Sequence, residues 1–166
     1  MQTISQNLFL LYDNLLTANR IVDFLDKRFS NSLKIAIYSD GETLLKEVDD
    51  NTAIVVVDYD LKKESIEALL IAIKKANPKT EIIILSTVED LAIAIEVFRK
   101  GAKTLIIKGE KAPRALFSVI YKILNYPVNI LTERFGINKI LAIFITYFLF
   151  IGIVVYIGML VLHKLE

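Results

Sequence analysis

The sequence contains no cysteine. That excludes disulfides, thiolate catalysis and cysteine-ligated metals, and it fits a cytosolic domain. Histidine occurs once, as His163 beside an apolar run, where it reads as an interfacial flank and not as a ligand or phosphate carrier. An excess of charge of one sign is also missing: 20 Lys+Arg stand against 19 Asp+Glu, so nothing electrostatic argues for nucleic acid. Glycine is absent from residues 13–19, the loop after the first apolar run, which rules out a P-loop and a G-x-G-x-x-G dinucleotide fingerprint there. Thr17 is the only hydroxyl in that loop, too few for a flavin phosphate site. An independent enzyme is therefore not expected, and no catalytic residue is assigned. Residues 1–7 carry none of the features of a signal peptide. No internal repeat, low-complexity stretch or second soluble domain is visible.

What the chain does have is hydropathy. Its mean of +0.50 is high for a plain soluble domain, and residues 140–162 account for it. These 23 residues include no charge, Pro, Asn or Gln, and Thr146 is their only hydroxyl apart from two tyrosines. As a helix rising ~1.5 Å per residue, such a run crosses the ~30 Å hydrocarbon core of a bilayer. Lys139 precedes it and His163 and Lys164 follow it, placed to snorkel into headgroups. A C-terminal transmembrane helix is expected, with 163–166 as a short tail. Arg134 and Lys139 on its N-terminal side set a weak positive-inside bias. The expected location is thus the cytoplasmic (inner) membrane, single-pass and tail-anchored, with the N-terminal domain in the cytoplasm. No GxxxG motif occurs in the span, so self-association through it is not predicted.

The other apolar runs are short. The stretch 53–61, AIVVVDYDL, holds five consecutive apolar residues, four of them β-branched, and runs into a carboxylate. A continuous run of this kind marks a strand buried on both faces, as in a parallel sheet covered by helices. Residues 7–12, 34–38, 81–85 and 103–107 supply four more strands. Between them, 17–29, 41–49, 62–76, 89–100 and 112–124 show helical periodicity. Asn77-Pro78 stops the third helix and Gly101 the fourth. Five strand–helix units predict an α/β domain over 1–125, a five-stranded parallel sheet of flavodoxin-like doubly wound order 2-1-3-4-5. Residues 126–139 then form a juxtamembrane connector that either lies on the membrane surface or packs on the domain.

In open parallel sheets, ligands sit at the carboxyl ends of the strands. After the first, third, fourth and fifth strands stand Asp13, Asp58, Ser86 and Lys108. Two acids together favour a hard divalent cation with oxygen ligands, and a carboxylate screened in this way can attack phosphorus. A hydroxyl and an ammonium can then hold the phosphoryl oxygens. Each residue also has a plainer reading. Asp13 could cap the first helix, Ser86 could cap the fourth with Glu89 completing a capping box, and Lys108 could be a solvated turn residue.

Over roughly 7–125 the chain resembles the receiver domain of bacterial two-component response regulators, of the CheY-like kind. The carriers are Leu11-Tyr12-Asp13-Asn14, Val57-Asp58, Ser86, Gly101-Ala102 and Ile107-Lys108, spaced 45, 28 and 22 residues from Asp13 to Asp58 to Ser86 to Lys108. The resemblance implies Asp58 as phosphoacceptor in a phosphorelay. It implies a Mg²⁺ site from Asp13, Asp58 and the main-chain carbonyl of Asp60, with Asn14 a doubtful ligand, and Ser86 and Lys108 as phosphoryl-binding residues. It implies a histidine kinase or other phosphodonor as partner and leaves a homodimer open. There are departures. Asn14 stands where the family usually has a second acid, Leu105 where it commonly has a Tyr or Phe, and Gly109 where it usually has Pro, while Asp60 adds a second negative side chain. Two functions therefore stand side by side: a membrane-anchored, phosphorylated receiver signalling by protein–protein contact, and a phosphorylation-independent pseudo-receiver docking subunits of a membrane complex.

Overall fold

The computed structural model describes residues 6–29, 33–61, 65–124 and 139–163, with side chains of the last helix described over 147–159. The elements run β1 (Gln6–Leu11), α1 (Leu15–Phe29), β2 (Leu33–Tyr38), α2 (Gly41–Glu47), β3 (Thr52–Asp58), α3 (Ile66–Ala76), β4 (Glu81–Ser86), α4 (Leu91–Arg99), β5 (Ala102–Ile107), α5 (Ala112–Leu124) and α6 (Lys139–His163). The five strands form one parallel sheet in the order β2-β1-β3-β4-β5, as their sequence pattern predicts. The chain divides into two compact units, 1–120 and 121–166.

Hydropathy set the strand order of burial. β3 and β4, the two Val/Ile runs, are central, and Ile54, Val55, Val56, Val57, Ile82, Ile83 and Ile84 are all fully buried. Each such side chain contributes roughly 1.5–3 kcal/mol relative to exposure. Leu69, Leu70 and Ile73 of α3, Leu44 of α2 and Val97 of α4 close over one face with Phe9 and Leu11 of β1.

The helix starts are where local chemistry corrects the periodicity. α1 begins two residues earlier than the apolar pattern indicates, because Asn14, not Asp13, caps it: Asn14 Oδ1 accepts from Thr17 N–H at 3.1 Å. α3 begins at Ile66 behind the cap Ser65, and α4 at Leu91 behind the cap Asp90, whose carboxylate accepts from Ala92 N–H at 2.7 Å. The plainer reading of Ser86 as the cap of this helix gives way to Asp90, and the Ser86 hydroxyl bonds to Val88 instead. The two expected stops hold. Asn77 ends α3, and Gly101 follows α4 at φ +100°, where a side chain would be strained.

At the amino ends of β3 and β4 a buried polar knot ties the sheet to its loops. Asn77 Nδ2 donates to the Asp49 carbonyl at 2.8 Å, and Thr80 Oγ1 to the Thr52 carbonyl at 2.7 Å. Thr52 Oγ1 donates to Asp49 Oδ1 at 2.7 Å. Among the described residues no buried side-chain polar atom lacks a partner.

The second unit contains α6, a single helix of 25 residues. Its described large apolar side chains, from Tyr147 to Met159, are all exposed. Among the described residues no helix is long and apolar enough to cross a membrane, so the transmembrane helix expected at 140–162 is not supported here. The connector expected at 126–139 lies, but for Lys139, outside the described residues.

Candidate functional site

The carboxyl end of β3 delivers Asp58 as the last strand residue, paired in register with Leu85 of β4. At that end of the ladder Asp58 is buried, 4% exposed. The hydrogen bonding continues one step beyond the strands. Tyr59 N–H donates to the Leu85 carbonyl and Lys108 N–H to the Ser86 carbonyl, each at 2.8 Å. These two bonds bring the loops after β3, β4 and β5 together.

A buried carboxylate needs a counter-charge, and Lys108 supplies it. Its ammonium donates to Asp58 Oδ1, and to Asp60 Oδ2 at 2.7 Å. Asp58 Oδ1 accepts a second bond, from Asp60 N–H at 2.9 Å. The Lys108 ammonium also lies 5.0 Å from the centre of the buried Tyr12 ring, a cation–π contact. Burial pushes the Lys108 amine down, but its bonds to Asp58 and Asp60 outweigh that and raise it above the ordinary lysine value. Burial likewise lifts the Tyr12 hydroxyl above its usual range.

Asp60 is bound on three sides. Besides Lys108, it accepts from Thr87 N–H at Oδ2 and from Thr87 Oγ1 at Oδ1, both at 3.2 Å. Burial pushes its carboxyl up, yet the Lys108 and Thr87 donors prevail and hold it below the ordinary carboxylate value. The side chains of Asp60 and Thr87 are the part of the site that the sequence reading did not assign. A readable signal existed, since the parallel register of β3 and β4 sets the two loops side by side.

The remaining expected residues are placed differently. Ser86 is fully buried, and its hydroxyl donates to the Val88 carbonyl at 2.9 Å and accepts from Val88 N–H at 3.1 Å. It thus bonds within its own turn. Asp13 is exposed and takes no part in the bonds to Lys108. Leu105 is half-buried against the core.

Two of the oxygens expected to hold Mg²⁺, Asn14 Oδ1 and Asp58 Oδ1, already have partners. Asn14 Oδ1 is committed to the cap of α1, and both Asp58 and Asp60 are bonded to Lys108. Among the described residues no three His, Cys, Asp or Glu side chains gather as a metal site. The cation within this acidic pair is the lysine itself.

The parallel sheet of order 2-1-3-4-5, with a buried acid at the end of β3 and a lysine after β5, is a flavodoxin-like fold. Solved structures agree. The chain is similar to a CheY-like response regulator receiver domain protein from Methanospirillum hungatei JF-1, with TM-score 0.64 and 17% identity over 74% of this chain and 95% of that one. It is similar to the BeF3-activated receiver domain of DrrB from Thermotoga maritima, with TM-score 0.61 and 20% identity over 73% of this chain and 98% of that one. An orphan response regulator of H. pylori matches with TM-score 0.60 and 19% identity over 72% of this chain and 97% of that one. At these identities the likeness establishes the fold. No protein-family model and no curated protein matches the sequence.

Proposed function

We propose that the first unit is a signalling receiver that accepts a phosphoryl group on Asp58. The observation that carries this reading is the pairing of a buried carboxylate at the end of β3 with an ammonium at the end of β5. In the reaction an Asp58 carboxylate oxygen attacks phosphorus and forms the P–O bond of an acyl phosphate. The bond to the donor's leaving nitrogen or oxygen breaks, and the electron pair departs with it. Lys108 offsets the charge that gathers on the phosphoryl oxygens. Lys108 takes Oδ1 of Asp58, so Mg²⁺, where bound, would use the other Asp58 oxygen together with Asp13 and the Asp60 carbonyl. A histidine kinase or a small phosphodonor is the partner this chemistry calls for.

Output by protein contact is supported by α4, where only Val97 is buried while Leu91, Ile95 and Phe98 stand exposed. We also propose α6 as a membrane attachment that holds the domain on the cytoplasmic side. The support is its 25-residue helical length and the exposed aromatic and aliphatic side chains from Tyr147 to Met159, which water alone would not favour. Extraction of membranes carrying the full chain with alkaline carbonate tests this: retention in the pellet agrees, and release into the supernatant refutes it.

A docking role without phosphorylation is favoured by one observation, the commitment of Lys108 and Thr87 to Asp60. Exposure of the full chain to acetyl phosphate, followed by intact mass, separates the two functions. One added phosphoryl mass that Asp58→Asn abolishes supports the receiver. A phosphoryl mass that persists in Asp58→Asn moves the acceptor elsewhere, and no modification of a folded protein supports docking.

A further inference from the structure

We propose that Asp60 is a resident anion that occupies the donors a phosphoryl group on Asp58 would use, making this site self-liganded. The inference rests on the receiver reading and deepens it. A phosphoryl group on Asp58 places negatively charged oxygens just beyond the end of β3 and needs donors there. Three donors converge at that point: the Lys108 ammonium, Thr87 N–H and Thr87 Oγ1–H. All three are bonded to the Asp60 carboxylate, and the ammonium is shared with Asp58 itself. Ser86 does not replace them, because its hydroxyl is bonded to Val88 in both directions.

The consequences follow from charge and connectivity. One ammonium faces two carboxylates before any phosphoryl group arrives, so an incoming anion meets a site that is already negative. Asp60 also bridges the β3–α3 turn to the β4–α4 turn through Thr87, fixing the segment that leads into the exposed face of α4. The loop is thereby held by an internal carboxylate where a switching domain would hold it by its phosphoryl group. Asp60 is a positioning residue in this scheme: it does not react, and it sets how readily an anion reaches Lys108 and Thr87.

Asp60→Asn removes the charge and keeps an oxygen that can accept from Thr87, so the turn retains a partner. The experiment titrates the full-length wild type and Asp60→Asn with beryllofluoride, read on the Thr87 backbone amide by NMR, with circular dichroism to confirm folding. The variant is expected to bind about tenfold more tightly, with a larger Thr87 shift. Equal or weaker binding by the folded variant overturns the proposal. If neither protein takes beryllofluoride, the receiver reading itself fails, and inorganic phosphate at the same amide then decides the inference separately. Tighter phosphate binding by Asp60→Asn sustains the resident anion, and indistinguishable binding refutes it.

Discussion

Replacing Lys108 by Met should destabilise the first unit, and by an amount that depends on pH. The Asp58 side chain is 6% exposed and that of Lys108 18%, so the pair is largely out of water. Removing one partner of a buried ion pair costs about 3–5 kcal/mol, and a single charge-assisted hydrogen bond about 1.5–3 kcal/mol. Asp58 keeps the Asp60 N–H bond, and Asp60 opens to solvent, so the lower part of the range applies: about 2–3 kcal/mol near neutrality. Lys108 is raised above its ordinary 10.5, so its contribution is complete below that value and fades as pH climbs through the raised one. Asp60 is lowered from 3.8, so its contribution is present above that value and fades as pH falls through the lowered one. Wild type should therefore hold a plateau of stability from this pairing between the carboxylate and lysine ranges, and Lys108→Met should lose the alkaline shoulder. Urea denaturation of the full chain, followed by circular dichroism from acid to alkaline pH, measures both effects. A second substitution, Asp58→Asn in the Lys108→Met background, should recover at least about 1 kcal/mol by removing the stranded charge. Additive losses in the double variant, or a loss under about 0.5 kcal/mol in the single one, would mean the pair is not coupled as its geometry indicates.

Three further outcomes are expected. Asn77→Ala should cost about 1–3 kcal/mol in urea denaturation, because the Asp49 and Thr52 carbonyls lose a buried donor, and it should leave modification of Asp58 unchanged because the knot lies at the opposite sheet edge. Gly101→Ala should cost about 1–2 kcal/mol and lower Tm, since φ is +100° and the new Cβ would meet Lys74 Cγ at 3.0 Å. Asn14→Asp should keep the cap of α1, as either side chain accepts from Thr17 N–H, while adding a carboxylate beside Asp13. Mg²⁺ binding, followed by tyrosine fluorescence, should tighten by about tenfold, and no change would show that these loops do not form the cation site.

The fold was legible because its strongest signals were non-local consequences of local composition. Two Val/Ile runs can be buried on both faces only in the middle of a covered sheet, and β3 and β4 take those places. The helix starts were less legible, because apolar periodicity reports the buried stripe and not the cap. Asn14, Ser65 and Asp90 supply the caps through side-chain bonds that periodicity does not record. In the site, Asp58 and Lys108 were readable from their places after strands. The bond of Ser86 to its own turn and the exposure of Asp13 were not, since both depend on loop geometry. Residues 140–162 show a different limit, because a long apolar run is a statement about solvent preference and a helix of exposed apolar side chains does not by itself name the solvent.

The departures at positions 14, 60 and 105 bear on a single question, how much free energy remains for an incoming phosphoryl group. Asn14 withholds a charge from a cation that would screen Asp58, and Leu105 offers the core an aliphatic surface with no polar handle to exchange. Asp60 acts more directly, because it already satisfies Lys108 and Thr87. A ligand shifts a two-state equilibrium only by its differential affinity for the two states. If the loop after β4 is held in the same way before and after phosphorylation, modification of Asp58 changes little at α4, however readily it occurs. Phosphorylation and switching are then separable properties of this domain, and Asp60→Asn should restore the second without altering the acceptor. A Thr87 amide that moves further on modification in Asp60→Asn than in wild type is the result this reasoning requires, and equal movement in the two proteins would refute it.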